Sequence, residues 1–103
     1  TFVVTATGLD YIIDGVMHAT ITVKRGATYI FDVSDVSAPH PFRLSTTPDG
    51  EWGGGVAYDD GVSYVNSGTI GWMVPEDLTN DVMYYYCTLH AGMAGSGVIQ
   101  VID

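Results

Sequence analysis

Between Thr20 and Lys24 polar and apolar residues take turns, with Thr20, Thr22 and Lys24 on one side and Ile21 and Val23 on the other. A period of two puts each set on its own face of an extended chain and predicts a strand with one face buried and one in water. Short runs rich in Val, Ile, Thr and Tyr recur along the chain. They predict strands at Phe2–Thr7, Tyr11–Asp14, Ala19–Lys24, Thr28–Val33, His40–Ser45, Val62–Val65, Thr69–Val74, Val82–Cys87 and Gly97–Ile102. Turn chemistry separates these runs at Asp14-Gly15, Arg25-Gly26, Pro48-Asp49-Gly50 and Asp60-Gly61. Hardly any stretch carries a helical period. About seven to nine short strands at this spacing predict an all-β sandwich or barrel. The run Gly50–Tyr58, with Gly53-Gly54-Gly55, is too rich in glycine for a strand and reads as a surface loop.

Composition narrows the picture. A chain of 103 residues suits a single domain, and 47% hydrophobic against 15% charged residues supplies a core and argues against disorder. The net charge is −9, from three basic and twelve acidic residues. A field of that sign repels phosphate backbones and anionic lipid, which excludes nucleic acid as a partner, and it attracts a basic partner or a cation. No apolar run approaches the roughly 20 residues that span a bilayer, so no membrane insertion is expected. No basic, apolar and small-residue leader stands at Thr1, so the sequence shows no signal peptide. The chain reads equally as a mature product cut from a precursor or as a cytosolic protein. Its single cysteine rules out an internal disulfide and leaves an inert core thiol, a reactive thiol or a metal ligand.

The neighbours of that cysteine select among these. Tyr84-Tyr85-Tyr86-Cys87-Thr88-Leu89-His90-Ala91-Gly92-Met93 runs a strand into Cys87 and then offers His90 and Met93 on a tight loop, in the pattern C-x-x-H-x-x-M. Upstream, Pro39-His40-Pro41-Phe42 places a second histidine at the start of another strand. One thiolate, two imidazoles and one thioether make the ligand set of a copper electron-transfer site. Taken alone, Cys87 reads as a buried thiol, His40 as a structural histidine and Met93 as core packing. Their joint spacing favours ligation. Met17, Met73 and Met83 lack such context and read as core or surface fillers, and His18 reads as a solvated histidine beside a turn.

The segment resembles the ligand loop of the type 1 (blue) copper cupredoxins, and its short C-x-x-H-x-x-M spacing is similar to that of amicyanin. The separation of 47 positions between His40 and Cys87 is similar to that in plastocyanins. Tyr29–Ser34 followed by His40-Pro41-Phe42 also resembles a cupredoxin strand leading to its first histidine, so the likeness covers nearly the whole chain. Related-looking domains occur in marine microbes and their phages. The resemblance implies a Greek-key β-sandwich with one copper per chain, alternating between Cu(I) and Cu(II) at one end. His40, Cys87 and His90 would be equatorial ligands and Met93 the weak axial one. It implies a one-electron carrier, monomeric, working with a redox protein such as a basic cytochrome or a photosystem-type acceptor. The family favours the periplasm, the thylakoid lumen or export. An apolar patch of Pro41, Leu89, Ala91 and Gly92 around His90 would serve docking.

Other features qualify the resemblance. Alternation along Val82–Cys87 puts Met83, Tyr85 and Cys87 on the inner face and turns Tyr86 outward. In plastocyanins an exposed aromatic beside the cysteine ligand marks a face where electrons are exchanged. Tyr86 matches that position, or is an ordinary half-buried strand tyrosine. Asp59 and Asp60 resemble part of the acidic patch of plant plastocyanins, but beside Gly61 they are also good turn chemistry, the favoured reading unless Tyr86 lies near. The residue after the first histidine commonly gives its N–H to the thiolate in this family. Here it is Pro41, which has none, leaving Leu89 to compensate and lowering the expected potential. Two other functions remain open: an open-site copper enzyme acting on nitrogen oxides, against which Met93 argues, and a copper-binding or structural domain of a larger protein.

Overall fold

The computed structural model describes residues 1–36 and 39–103. Ten strands form among them: β1 (Phe2–Thr7), β2 (Asp10–Ile13), β3 (Val16–Met17), β4 (Ile21–Lys24), β5 (Thr28–Asp32), β6 (Phe42–Ser45), β7 (Val62–Asn66), β8 (Thr69–Met73), β9 (Val82–Cys87) and β10 (Ile99–Ile102). A six-stranded sheet runs in the order β3-β2-β1-β5-β8-β7 and a four-stranded sheet in the order β4-β10-β9-β6. Both are mixed, because β1 pairs parallel with β5 and β10 parallel with β4. The architecture is the expected all-β sandwich. Val4, Ile13, Phe31 and Trp72 of the larger sheet share one buried core with Val23, Leu44, Tyr85 and Ile99 of the smaller.

Sequence pattern and structure part company at β3, which was not expected. Asp14 and Gly15 both take positive φ (49° and 82°), the twisted two-residue turn that sends a strand straight back on itself. The returning residues pair Ile12 with Met17 and Ile13 with Val16. Val16 and Met17 are both exposed at the sheet edge, so no in-out alternation announces them.

The site is positioned by the pairing of β6 with β9. Their antiparallel register sets Phe42 opposite Cys87, Arg43 opposite Tyr86 and Leu44 opposite Tyr85. Phe42, Leu44, Tyr85 and Cys87 therefore fall on the inner face, and all four are buried. Pro41 stands just ahead of β6, where its missing N–H costs the ladder nothing, and its carbonyl accepts the Thr88 N–H at 3.2 Å. This last rung brings His40 beside the loop that leaves Cys87.

Candidate metal centre

Cys87 is the last residue of β9 and is fully buried. His90 lies three residues on, in the turn that leads back towards β10, and His40 enters from the opposite strand. Both imidazoles are half-buried. The Nδ1 atoms of His40 and His90 lie 3.2 Å apart, and Cys87 Sγ is 4.0 Å from the first and 3.7 Å from the second. A triangle with these sides has a circumscribed radius of about 2.1 Å, so one point in its plane is equidistant from all three donors at an ordinary metal–nitrogen or metal–sulfur distance. The three residues could hold a metal ion, and they are the one such group of His, Cys and acidic side chains among the described residues. A thiolate with two imidazoles suits a borderline or soft cation such as copper or zinc and disfavours magnesium or calcium, which take oxygen ligands.

The backbone around these donors is held at each step. The His40 N–H donates to the Val36 carbonyl at 2.9 Å, and the His40 carbonyl accepts the Tyr11 hydroxyl at 2.7 Å. Burial above all, and then the nearby Cys87, holds the Tyr11 phenol well above its ordinary pKa, so it remains a neutral donor. The Tyr11 N–H in turn donates to the Met93 carbonyl at 2.8 Å, fastening the far end of the ligand loop to β2. Aromatic rings back the site: Tyr11 meets Phe42 edge-on at 5.3 Å, and Phe42 stacks on Tyr85 at 5.5 Å. Met93 is fully buried in the same core, as a thioether facing inward requires.

Two features on the outer face differ from the sequence reading. Tyr86 lies on the outward side of β9, as alternation demands, yet it is fully buried. The short 3₁₀ turn Gly50–Gly53 lies over it, and a Cβ at Gly50 would come within 2.4 Å of the Tyr86 ring. The Tyr86 hydroxyl donates to Glu51 Oε2 at 2.9 Å. Tyr86 is therefore not an exposed aromatic. The stretch read as a surface loop is largely exposed but also caps Tyr86, and with Asp49 just ahead of it reaches the site twice. The Trp52 indole N–H donates to the Cys87 carbonyl at 2.9 Å, and the Asp49 carboxylate accepts the Gly92 N–H at 3.0 Å. Sequence reasoning passed over Trp52 and read Asp49 only as turn chemistry. The signal available for Trp52 was a lone tryptophan in a glycine-rich run.

The remaining candidates fall into place. His18 is half-buried rather than solvated, with Nε2 2.8 Å from Asp10 Oδ1. Asp59 and Asp60 belong to a turn whose Val62 N–H donates to the Asp59 carbonyl, and the Asp60 carbonyl accepts the Trp72 indole, at the end of β8 away from the donors. Met17 and Met73 are exposed and Met83 is buried, as surface and core fillers. Compared with known proteins, the chain matches no family model, no curated protein and no solved structure.

Proposed function

We propose that this chain is a type 1 copper protein of the cupredoxin kind, a carrier of single electrons rather than an enzyme. The observation that carries the reading is the closeness of His40 Nδ1, His90 Nδ1 and Cys87 Sγ, which lie 3.2 to 4.0 Å from one another. A trigonal arrangement of two imidazoles and one thiolate is what such copper sites adopt. Met93, six residues beyond Cys87 and fully buried in the same core cluster, would supply the fourth, weak thioether ligand and so argues against an open position for a small-molecule substrate. Copper bound there would supply a one-electron couple, Cu(I)/Cu(II). The chain's own part is to hold the donors still through the Tyr11, Val36 and Thr88 hydrogen bonds and to keep water from the buried thiolate. Leu89, 58% exposed, with exposed Ala91 and Gly92, forms an apolar rim around His90 suited to docking a redox protein. The net charge of −9 favours a basic one.

Adding Cu(II) to the apoprotein should give one copper per chain and an intense thiolate-to-copper charge-transfer colour with a matching paramagnetic-resonance signal. Cys87→Ser should abolish the colour and leave an ordinary, weaker Cu(II) site. A colourless wild-type complex would sink the type 1 assignment.

A further inference from the structure

One side of the sandwich is left open between the two sheets. β6 ends the four-stranded sheet and β7 ends the six-stranded one, and these edges do not pair with each other. Residues of both line a cavity of about 450 Å³, within the size range of small-molecule sites. Its apolar lining includes Val33, Phe42 and Ile70, all buried core residues, together with Pro41. Its polar lining includes Arg43, Asn66 and Ser67, and none of the twelve acidic residues of the chain takes part. In a chain of net charge −9 that is a local reversal of sign.

Arg43 is set in place with donors to spare. Its guanidinium lies over the Tyr64 ring, 4.6 Å from the centroid, and its Nη1 donates to the Phe42 carbonyl at 2.7 Å. The Nε and Nη2 edge, the fork that takes a carboxylate through paired bonds, keeps its hydrogens. Arg25 meets the carboxylates of Asp81 and Asp103, whereas Arg43 has no carboxylate partner among the described residues. A guanidinium already held from two sides loses little freedom when it binds, which favours a ligand. Beside it, Asn66 accepts the Gly68 N–H through Oδ1 at 2.8 Å, which leaves its NH2 group as a donor. A single guanidinium matches a singly charged group, and the apolar lining disfavours an anion without an apolar body, such as inorganic phosphate.

We propose that this cavity binds a small organic acid, an aromatic or aliphatic body carrying one carboxylate. The carboxylate takes the Arg43 fork, with Asn66 and Ser67 as further donors, and the body displaces water from Val33, Phe42 and Ile70. The site stands apart from the metal reading, and a chain that took up no copper would leave it intact.

The probe is phenylacetate, titrated into the wild-type protein without added copper and followed by the amide and arginine side-chain resonances. One saturable site per chain should appear, with the largest shifts at the Arg43 Nε–H, the Asn66 side-chain amide and the backbone of β6 and β7. Phenylacetamide keeps the body without the charge and should bind about tenfold more weakly or worse, the loss expected for one charge-assisted hydrogen bond. Acetate, which keeps the charge without the body, should also bind more weakly. Arg43→Gln should weaken phenylacetate by a similar factor and leave phenylacetamide nearly unchanged. Arg43→Lys should restore only part of the loss, since an ammonium keeps the charge but not the fork. The phenylacetamide comparison is made on the wild type and decides the matter even if a variant fails to fold. Equal affinity for phenylacetate and phenylacetamide, shifts centred away from β6 and β7, or no saturable binding would overturn the site.

Discussion

At the end of β9 away from Cys87, a single guanidinium gathers the chain. Arg25 donates to the carbonyls of Leu78 at 2.7 Å and Asn80 at 3.1 Å, and to the carboxylates of Asp81 at 2.9 Å and Asp103 at 3.0 Å. At the Cys87 end the segments that meet present three lone-pair donors to one another. Donors and acceptors match at the first end, so protein groups complete it unaided. At the second, the Cys87 sulfur and two imidazole nitrogens converge and could hold a metal ion. The core and the Arg25 end should therefore carry the fold by themselves, while a metal bound at the other end would act locally as a staple between the His40 segment and the ligand loop.

The largest effect should come from the metal. Free copper at a thousandfold excess over its dissociation constant should raise the unfolding free energy by about 4 kcal/mol, since it binds only the native arrangement. Thermal unfolding of apo and loaded protein measures this. His40→Ala should remove most of the gain while the apoprotein melts nearly as before. An apoprotein unfolded by circular dichroism would break the comparison outright.

A smaller change should follow Arg25→Leu. Both apo and loaded forms should lose stability by the same amount, with the copper spectrum untouched. A metal-induced gain that shrank in this variant would mean the two ends are coupled.

Next comes alkaline sensitivity, set between the two ends by Tyr85, whose hydroxyl donates to the Ala19 carbonyl at 2.7 Å. Burial pushes its phenol from 10.0 up to about 12. The folded value is the higher one, so this contribution is complete below pH 10 and drains away as pH rises towards 12. Denaturant melts across that window should show falling stability, with a shallower slope for Tyr85→Phe. A slope identical to wild type would assign the loss to the other buried tyrosines.

The smallest expected effect is that of Tyr11→Phe, which deletes one hydrogen bond to the His40 carbonyl and should cost about 1 kcal/mol. It sharpens the comparison because it should also weaken metal binding, while hydrogen exchange at the Arg25 end stays unchanged. Loosening at both ends would contradict the division.

Local pattern was enough for much of this molecule. Nine of the ten strands among the described residues fall on runs rich in Val, Ile, Thr and Tyr bounded by turn residues, and in β2, β4 and β10 burial alternates with the period of a pleated chain. Cys87, His90 and Met93 were legible together, since one strand end and one tight loop place them. The grouping of Cys87 and His90 with His40 is a tertiary fact that the register of β6 on β9 supplies. Pro41 is the reverse case: its missing N–H was plain in the sequence, while its carbonyl bond to Thr88 was not. β3 escaped notice because an exposed two-residue edge strand has no buried face to mark it.

The sequence by itself determined the strands other than β3, the turns and the donor types, each a consequence of chemistry within a few residues. Only the tertiary structure decided that the donors meet around one point, that Tyr86 is covered and that Trp52 reaches the Cys87 carbonyl. Alternation assigns a side chain to a face of its strand. Whether that face meets water depends on a segment some thirty-five positions away folding over it, and no local period records such a contact.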